Sequence, residues 1–195
     1  IPQEAVDAAV DDAIAAGVRN IVLFSSGYAE LGAAGAAAQR QLAAKTKAAG
    51  IRVLGPNCLG MMNVANQVYA TFSPAPNAGR VPLGRIGLVS QSGAFGAYAY
   101  SMARERGIGL SHWVTTGNEV DVQVADCIAW MATDPATEVI MAYMEGCQDG
   151  ARLCAALQQA QNQRKPVVMV KVGTTAIGAA ATASHTASLA GDDAV

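Results

Sequence analysis

Ser184-His185-Thr186 stands in a stretch of small and polar residues without apolar periodicity, which leaves an imidazole free to move and to react. A neutral ring nitrogen is a competent nucleophile when another group holds the opposite nitrogen and fixes the tautomer. Glu145, directly after a strand-length apolar run, is the candidate for that group, and Glu119 and Asp121 in a neighbouring loop compete for the role. Acids at helix starts also serve simply to complement the helix dipole, which suits Asp121 and Asp149 better than Glu145. The second histidine, His112, adjoins Trp113 inside a strand pattern and reads as structural.

The other chemically suggestive stretch is Ser90-Gln91-Ser92-Gly93-Ala94, between the apolar run Ile86-Gly87-Leu88-Val89 and a helical pattern from Ala94 to Arg106. Small residues at a strand-to-helix turn let the first helical N–H groups point outward, where they and the dipole attract an anion such as phosphate. Taken alone, this stretch is equally a plain helix cap, and both readings stay open. A nucleophilic loop histidine downstream is what gives an anion site there a purpose.

These residues need a scaffold, and the chain alternates between helix and strand throughout. Val6, Val10 and Ile14 recur at helical spacing until Gly17, followed by the strand-sized run Asn20 to Phe24. An alanine-rich helix then runs from about Leu31 to Ala49, and Ile51 to Leu54 is the next strand. From Val64 to Leu83 the pattern lapses and Pro74, Pro76 and Pro82 appear, which reads as a connection with a domain boundary near Ala78. The second unit, over 79–195, repeats the alternation. Its strands are expected at Ile86 to Val89, Leu110 to Thr115, Val139 to Met144 and Val167 to Val172. Helices from Ala94, Val122 and Asp149 join them, with Asp121 ending a loop as a helix cap. A loop over 173–191 carries His185. Alternation of this kind implies a parallel sheet with ligands beyond the carboxyl ends of its strands, where Ser25-Ser26-Gly27 and Pro56-Asn57-Cys58 also fall.

Composition narrows the partners. The chain has 195 residues, 52% hydrophobic and only 14% charged, with a formal net charge of -2. It carries no basic run, so nucleic acid is set aside, and no apolar run is long enough to cross a bilayer. So low a charged fraction suggests apolar surface that a partner or a second copy covers. The four cysteines, Cys58, Cys127, Cys147 and Cys154, show no metal-ligand spacing, so no metal site and no disulfide framework are expected. Cys127 and Cys154 read as small core residues. A reducing cytoplasm is the expected location. The chain opens on Ile1 and enters a helix at once, so a native start upstream is expected.

Gly55-Pro56-Asn57-Cys58, Gly84 through Gly93, Glu145-Gly146, Lys165-Pro166-Val167-Val168 and Ser184-His185-Thr186 through Ala190-Gly191 together resemble the α part of the nucleoside-diphosphate-forming acyl-CoA synthetases, relatives of succinyl-CoA synthetase. The resemblance runs through nearly the whole chain. It implies the last part of a Rossmann-like CoA-binding domain over 1–78, then a flavodoxin-like doubly wound domain over 79–195. It also implies an activity, the interconversion of acyl-CoA, phosphate and NDP with carboxylate, CoA and NTP through an acyl phosphate and a phosphohistidine. On this resemblance His185 matches the phosphorylated histidine and Glu145 its hydrogen-bonding glutamate. Ser90, Ser92, Gly93 and Ala94 match the phosphate-binding turn, and Ser25, Ser26, Gly27, Asn57 and Cys58 the CoA cleft. ADP or ATP and Mg2+ belong to an ATP-grasp domain or subunit, a partner outside this sequence, and an isolated fragment is expected to be inactive and to bind CoA weakly. Leu59, where the succinate enzymes carry proline, points to the broader acyl-CoA branch. Two other readings of the same resemblance are the regulatory synthetase-like region of a protein lysine acetyltransferase and a CoA-binding sensor module without chemistry.

Overall fold

The computed structural model describes residues 1–173, so His185 and the rest of its expected loop from residue 174 onward lie outside the described residues. The first unit is helix α1 (Val6–Ala15), strand β1 (Asn20–Val22), helix α2 (Ala33–Ala48) and strand β2 (Arg52–Leu54). The two strands pair in parallel, Asn20 opposite Arg52 and Val22 opposite Leu54. The apolar stripe of α1 meets Leu23, Tyr28, Leu42, Ile51 and Val53 in a small core that also takes in Val120 of the second unit.

The second unit is built on a six-stranded sheet. Its members are β3 (Gly60–Asn63), β4 (Val68–Thr71), β5 (Leu83–Ser90), β6 (Leu110–Thr115), β7 (Val139–Met144) and β8 (Val167–Lys171), in the order β4-β3-β6-β5-β7-β8. The four strands β6, β5, β7 and β8 are parallel, as expected, and helices α3 (Gly93–Glu105), α4 (Val124–Thr133) and α5 (Gly150–Asn162) connect them. Adjacent residues of β5 enter opposite cores because strand side chains alternate. Leu88 packs with Met62, Tyr100, Leu110 and Trp113 on the α3 side, whereas Val89 packs with Ile128, Met131, Ile140 and Leu153 on the α4 and α5 side. Trp113 is fully buried, and its indole N–H donates to the Gly96 carbonyl at 2.8 Å, which pins α3 to β6.

Three expectations change. The stretch read as a connection holds the turn and second strand of the hairpin β3–β4, and β3 pairs antiparallel with β6, so residues 60–71 belong to the second sheet. Asp121 does not cap α4. Its carboxylate accepts from Arg52 Nε at 2.7 Å and from the Val53 N–H at 2.9 Å, tying the loop to β2, while Gln123 and Asp126 form the capping box of α4. Cys154 is exposed on α5 rather than in the core, although Cys127 is buried as expected. Apolar surface is present, with Tyr98, Met141, Val168 and Val170 exposed among the described residues. No helix among those residues is long and apolar enough to cross a membrane.

Candidate functional site

At the carboxyl end of β5 the chain turns through Ser90, Gln91 and Ser92 into α3. Ser92 is the N-cap, its hydroxyl accepting from the Phe95 N–H at 3.3 Å. That leaves the Gly93 and Ala94 N–H groups without intrahelical acceptors, at the positive end of the helix dipole. Ser90 is fully buried and donates to the Ser92 carbonyl at 2.7 Å, so its hydroxyl shapes the turn. Leu59 closes over the turn from β3's side: a Cβ on Gly93 would stand 2.9 Å from Leu59 Cγ.

Gln91 joins this turn to the ends of the neighbouring strands. Its buried side chain accepts from the Glu145 N–H at 2.6 Å and the Gly146 N–H at 3.0 Å, just past β7. It donates to the Gly146 carbonyl at 2.8 Å and to Glu119 in the loop after β6 at 2.9 Å. Glu145 is itself 3% exposed, and its carbonyl also receives Lys171 Nζ at 3.1 Å from the end of β8. Phe95 of α3 stacks on Tyr143 of β7 with ring centroids 4.0 Å apart, a second link between the same two elements. Cys147 follows directly, and burial pushes its thiol up, which disfavours a nucleophilic thiolate.

Glu119, in the loop after β6, is buried. Burial pushes its carboxyl up to about 7, against the opposing pull of the Val124 N–H, Gln91 and Thr116. Its ordinary value is 4.5, so between 4.5 and about 7 the unfolded chain has released this proton while the folded chain still holds it. The stabilising contribution of the group is therefore complete below 4.5 and is lost as pH rises through about 7. NMR titration of the Glu119 carboxyl carbon is expected to show a midpoint near 7, and a midpoint at the ordinary value would contradict the burial.

The first unit meets the site through Asn118. Its side-chain N–H2 donates to Glu30 at 2.5 Å and to Gln39 at 3.0 Å, and its amide oxygen accepts from Asn57 Nδ2 at 3.2 Å. Glu30 in turn accepts from the Gly27 N–H at 2.6 Å and the Tyr28 N–H at 3.2 Å. Burial opposes the charge on Glu30, but these donors, Asn118 foremost, hold its carboxyl below the usual range. Among the expected CoA-facing residues, Ser26 is exposed and Asn57 half-buried with φ 56°, both at the strand-end edge where a ligand can reach them. Ser25 donates to the Ile1 carbonyl at 2.7 Å. Cys58 faces inward, 2% exposed, its thiol donating to the Leu23 carbonyl at 3.5 Å and pushed up to about 12 by burial.

Residues 83–195 match the family model described as the succinyl-CoA ligase like flavodoxin domain, and residues 1–64 match a CoA binding domain. The chain belongs to the succinyl-CoA ligase-like family. Within it, the likeness is to the α part of the NDP-forming acyl-CoA synthetases, as the sequence motifs implied. Acetate–CoA ligase [ADP-forming] I of Archaeoglobus fulgidus is 38% identical over 98% of this chain and 27% of its own length. The α subunit of acetate–CoA ligase [ADP-forming] I from Pyrococcus furiosus is 36% identical over 100% of this chain and 41% of its own length. The solved dinucleotide-forming acetyl-coenzyme A synthetase 1 of Ca. Korarchaeum cryptofilum, in complex with phosphate and ADP, superposes with a TM-score of 0.89 at 34% identity, over 98% of this chain and 40% of that one. The chain thus spans from about a quarter to two fifths of the length of these relatives.

In this member of the acyl-CoA synthetase family, the turn Ser90 to Ala94 and the Glu145 loop stand side by side, joined through Gln91. The Ser26 and Asn57 edge joins them through Asn118. His185 lies outside the described residues. His112 sits in the lower half of β6, opposite Gly87 and Asn63. Its Nδ1 lies 3.4 Å from Asp134 Oδ2 without the geometry of a hydrogen bond, and burial lowers its pKa against the pull of that acid. A neutral core histidine is the consistent reading. Asn118 and Glu30 carry no motif of their own, and Gln91 lies within the turn's motif without a role assigned to it. The one available signal was an amide at the tip of the strand-to-helix turn, a place where a side chain can reach both neighbouring strand ends.

Proposed function

We propose that this chain supplies the CoA-facing and phosphohistidine part of an NDP-forming acyl-CoA synthetase, an acid–thiol ligase. The observation that carries the reading is the link from the α3 N-terminus through Gln91 to the Glu145 loop, which sets anion donors and a buried carboxylate residue beside each other. Phosphate attacks the thioester carbonyl, the acyl–sulfur bond breaks, and CoA leaves as its thiolate. The acyl phosphate passes its phosphoryl group to a neutral ring nitrogen of His185 and releases the carboxylate. Phosphohistidine then yields the group to the nucleoside diphosphate. In this scheme the N–H groups of Gly93 and Ala94, with the Ser92 hydroxyl, hold phosphoryl oxygens. Glu145 orients His185 and supports the positive charge on the ring. Ser26, Gly27 and Asn57 line one side of the CoA cleft. Because Gly27's N–H is held by Glu30, its contribution is shape rather than a free donor. Cys58 supports the loop from behind, and Ser90 acts by shaping the turn.

The partners of this reading are a small carboxylate and its CoA thioester, and an ATP-grasp domain or subunit that holds the nucleotide with Mg2+. Assembly into an oligomer over the exposed apolar surface and a cytoplasmic location complete it. A CoA-binding domain over 1–78 and a flavodoxin-like domain over 79–195 are part of the same proposal, with the hairpin β3–β4 reaching from the first onto the sheet of the second. The test is to supply the complete protein, with its nucleotide-binding part, with acetyl-CoA, phosphate and ADP. ATP and free CoA thiol are expected in equal amounts, with strict dependence on phosphate, and a panel of acyl-CoA thioesters then names the acid. Thiol release without ATP, or ATP formation independent of phosphate, would contradict the proposal.

A further inference from the structure

The polarity of the Gln91 amide is imposed from outside. Two backbone N–H groups, of Glu145 and Gly146, point at its oxygen, and N–H groups cannot accept, so the oxygen must face them and the nitrogen must find acceptors. The nitrogen finds the Gly146 carbonyl and Glu119 Oε2. The other Glu119 oxygen accepts from Thr116 Oγ at 2.9 Å and from the Val124 N–H at 2.8 Å at the start of α4. Glu119 is 4% exposed and stands at φ 57°, a left-handed conformation that aims its side chain back under the loop. When ionised, each oxygen of this carboxyl group therefore faces donors, and Gln91 stands between it and the peptide of Glu145.

We infer that Glu119 is a positioning residue for the phosphohistidine chemistry: through Gln91 it holds the Glu145–Gly146 peptides in register with the turn at the start of α3. The inference rests on the reading of Glu145 as the support of His185, and it assigns no contact between Glu119 and substrate. Its physical content is donor–acceptor matching. In Glu119→Gln the new amide keeps an oxygen for Thr116 and Val124 but turns N–H groups toward the nitrogen of Gln91, donor against donor. Gln91 then rotates or withdraws, and the Glu145 and Gly146 N–H groups lose their acceptor. The reciprocal pair Gln91→Glu with Glu119→Gln restores the match. The carboxylate at position 91 accepts from both backbone N–H groups and from the amide at position 119, while its second oxygen faces the Gly146 carbonyl acceptor to acceptor, so the rescue is partial.

Two readouts on the complete protein test this, with the thermal midpoint of each variant measured alongside. Amide hydrogen exchange of Glu145 and Gly146, followed by NMR, is expected to quicken about tenfold or more in Glu119→Gln and to return part of the way in the reciprocal pair. The rate of acid-labile labelling of His185 is expected to fall about tenfold and to recover in the same pattern. Unchanged exchange and labelling in Glu119→Gln would overturn the inference, as would slower labelling with unchanged exchange, or a reciprocal pair no better than the single variant. If Glu119→Gln fails to fold, the reciprocal pair decides, since native-like exchange supports the inference and failure of both variants to fold contradicts a role in positioning. An unsubstituted protein that takes no label refutes the phosphohistidine reading instead, whereas a labelled protein with indifferent variants refutes only the role of Glu119.

Discussion

His185→Asn in the complete enzyme is expected to abolish turnover, a loss of more than about 10³-fold, and to leave the thermal midpoint where it was. Asparagine offers no nucleophilic nitrogen, and a relay that stores a phosphoryl group between two separate sites has no way around the missing store. The fold should be indifferent, because the sequence around His185 is small and polar with no apolar pattern. His112 cannot substitute. It is buried in β6, and burial disfavours the charged ring that phosphoryl transfer would create there. Incubation with γ-labelled nucleotide reads the outcome: an acid-labile, base-stable label on the unsubstituted protein and none on the variant. Label persisting in the asparagine variant would contradict the assignment.

Gly117→Ala is expected to damage both the fold and the cleft. Gly117 follows β6 at φ 61°, and a Cβ there would stand 2.2 Å from the Pro56 carbonyl oxygen and 2.5 Å from that of Asn57. Both are backbone atoms of the same loop, so no side chain can swing aside to make room. The loop must lift, and with it go the hydrogen bonds from the Asn118 N–H to Pro56 at 2.9 Å and from the Val120 N–H to Gly55 at 3.0 Å. Strain at a left-handed residue and forced repacking together suggest a loss of about 2–4 kcal/mol, or roughly 5–15 °C in the midpoint. The same displacement moves Asn57 away from Asn118, so affinity for CoA should fall about tenfold or more, beyond what partial unfolding explains. Thermal unfolding and calorimetric titration with CoA at a temperature well below the midpoint measure the two effects. Unchanged affinity in a destabilised variant would show that the Asn57 edge does not touch CoA.

Local pattern carried much of this fold. The bounds of β6 and β7 follow directly from runs such as Val139 to Met144, and α1 from Val6, Val10 and Ile14, because burial of one stripe or one strand is a property of neighbours in sequence. The hairpin β3–β4 was not legible in the same way. Its turn, Val64 to Gln67, lacks the glycine dipeptides that announce a tight hairpin, and its strands are short and only partly buried. Asp121 shows the limit differently: cap and ion-pair partner look alike in sequence, and the choice was made by Arg52, which arrives from the other unit. Of the proposed site, the turn Ser90 to Ala94 and Glu145 are the candidates that residue types at the ends of strands offer. Glu119 stood out only as a competitor for the role of Glu145, and Gln91 and Asn118 had no assigned role, since the contacts that involve them join segments far apart in the chain and follow no period. A glutamine acquires such a role only when the fold brings two outward N–H groups to one side of it and acceptors to the other.

The most direct measurement of the central claim uses no nucleotide in its labelling step. The complete, unsubstituted protein is incubated with acetyl-CoA and radiolabelled inorganic phosphate, digested with trypsin under basic conditions, and the labelled peptide is sequenced. The account predicts an acid-labile label confined to the peptide that begins after Lys171 and contains His185, and its transfer to ADP as labelled ATP on chase. Label on the peptide carrying His112, or CoA release with no protein-bound phosphate at any time, would contradict it.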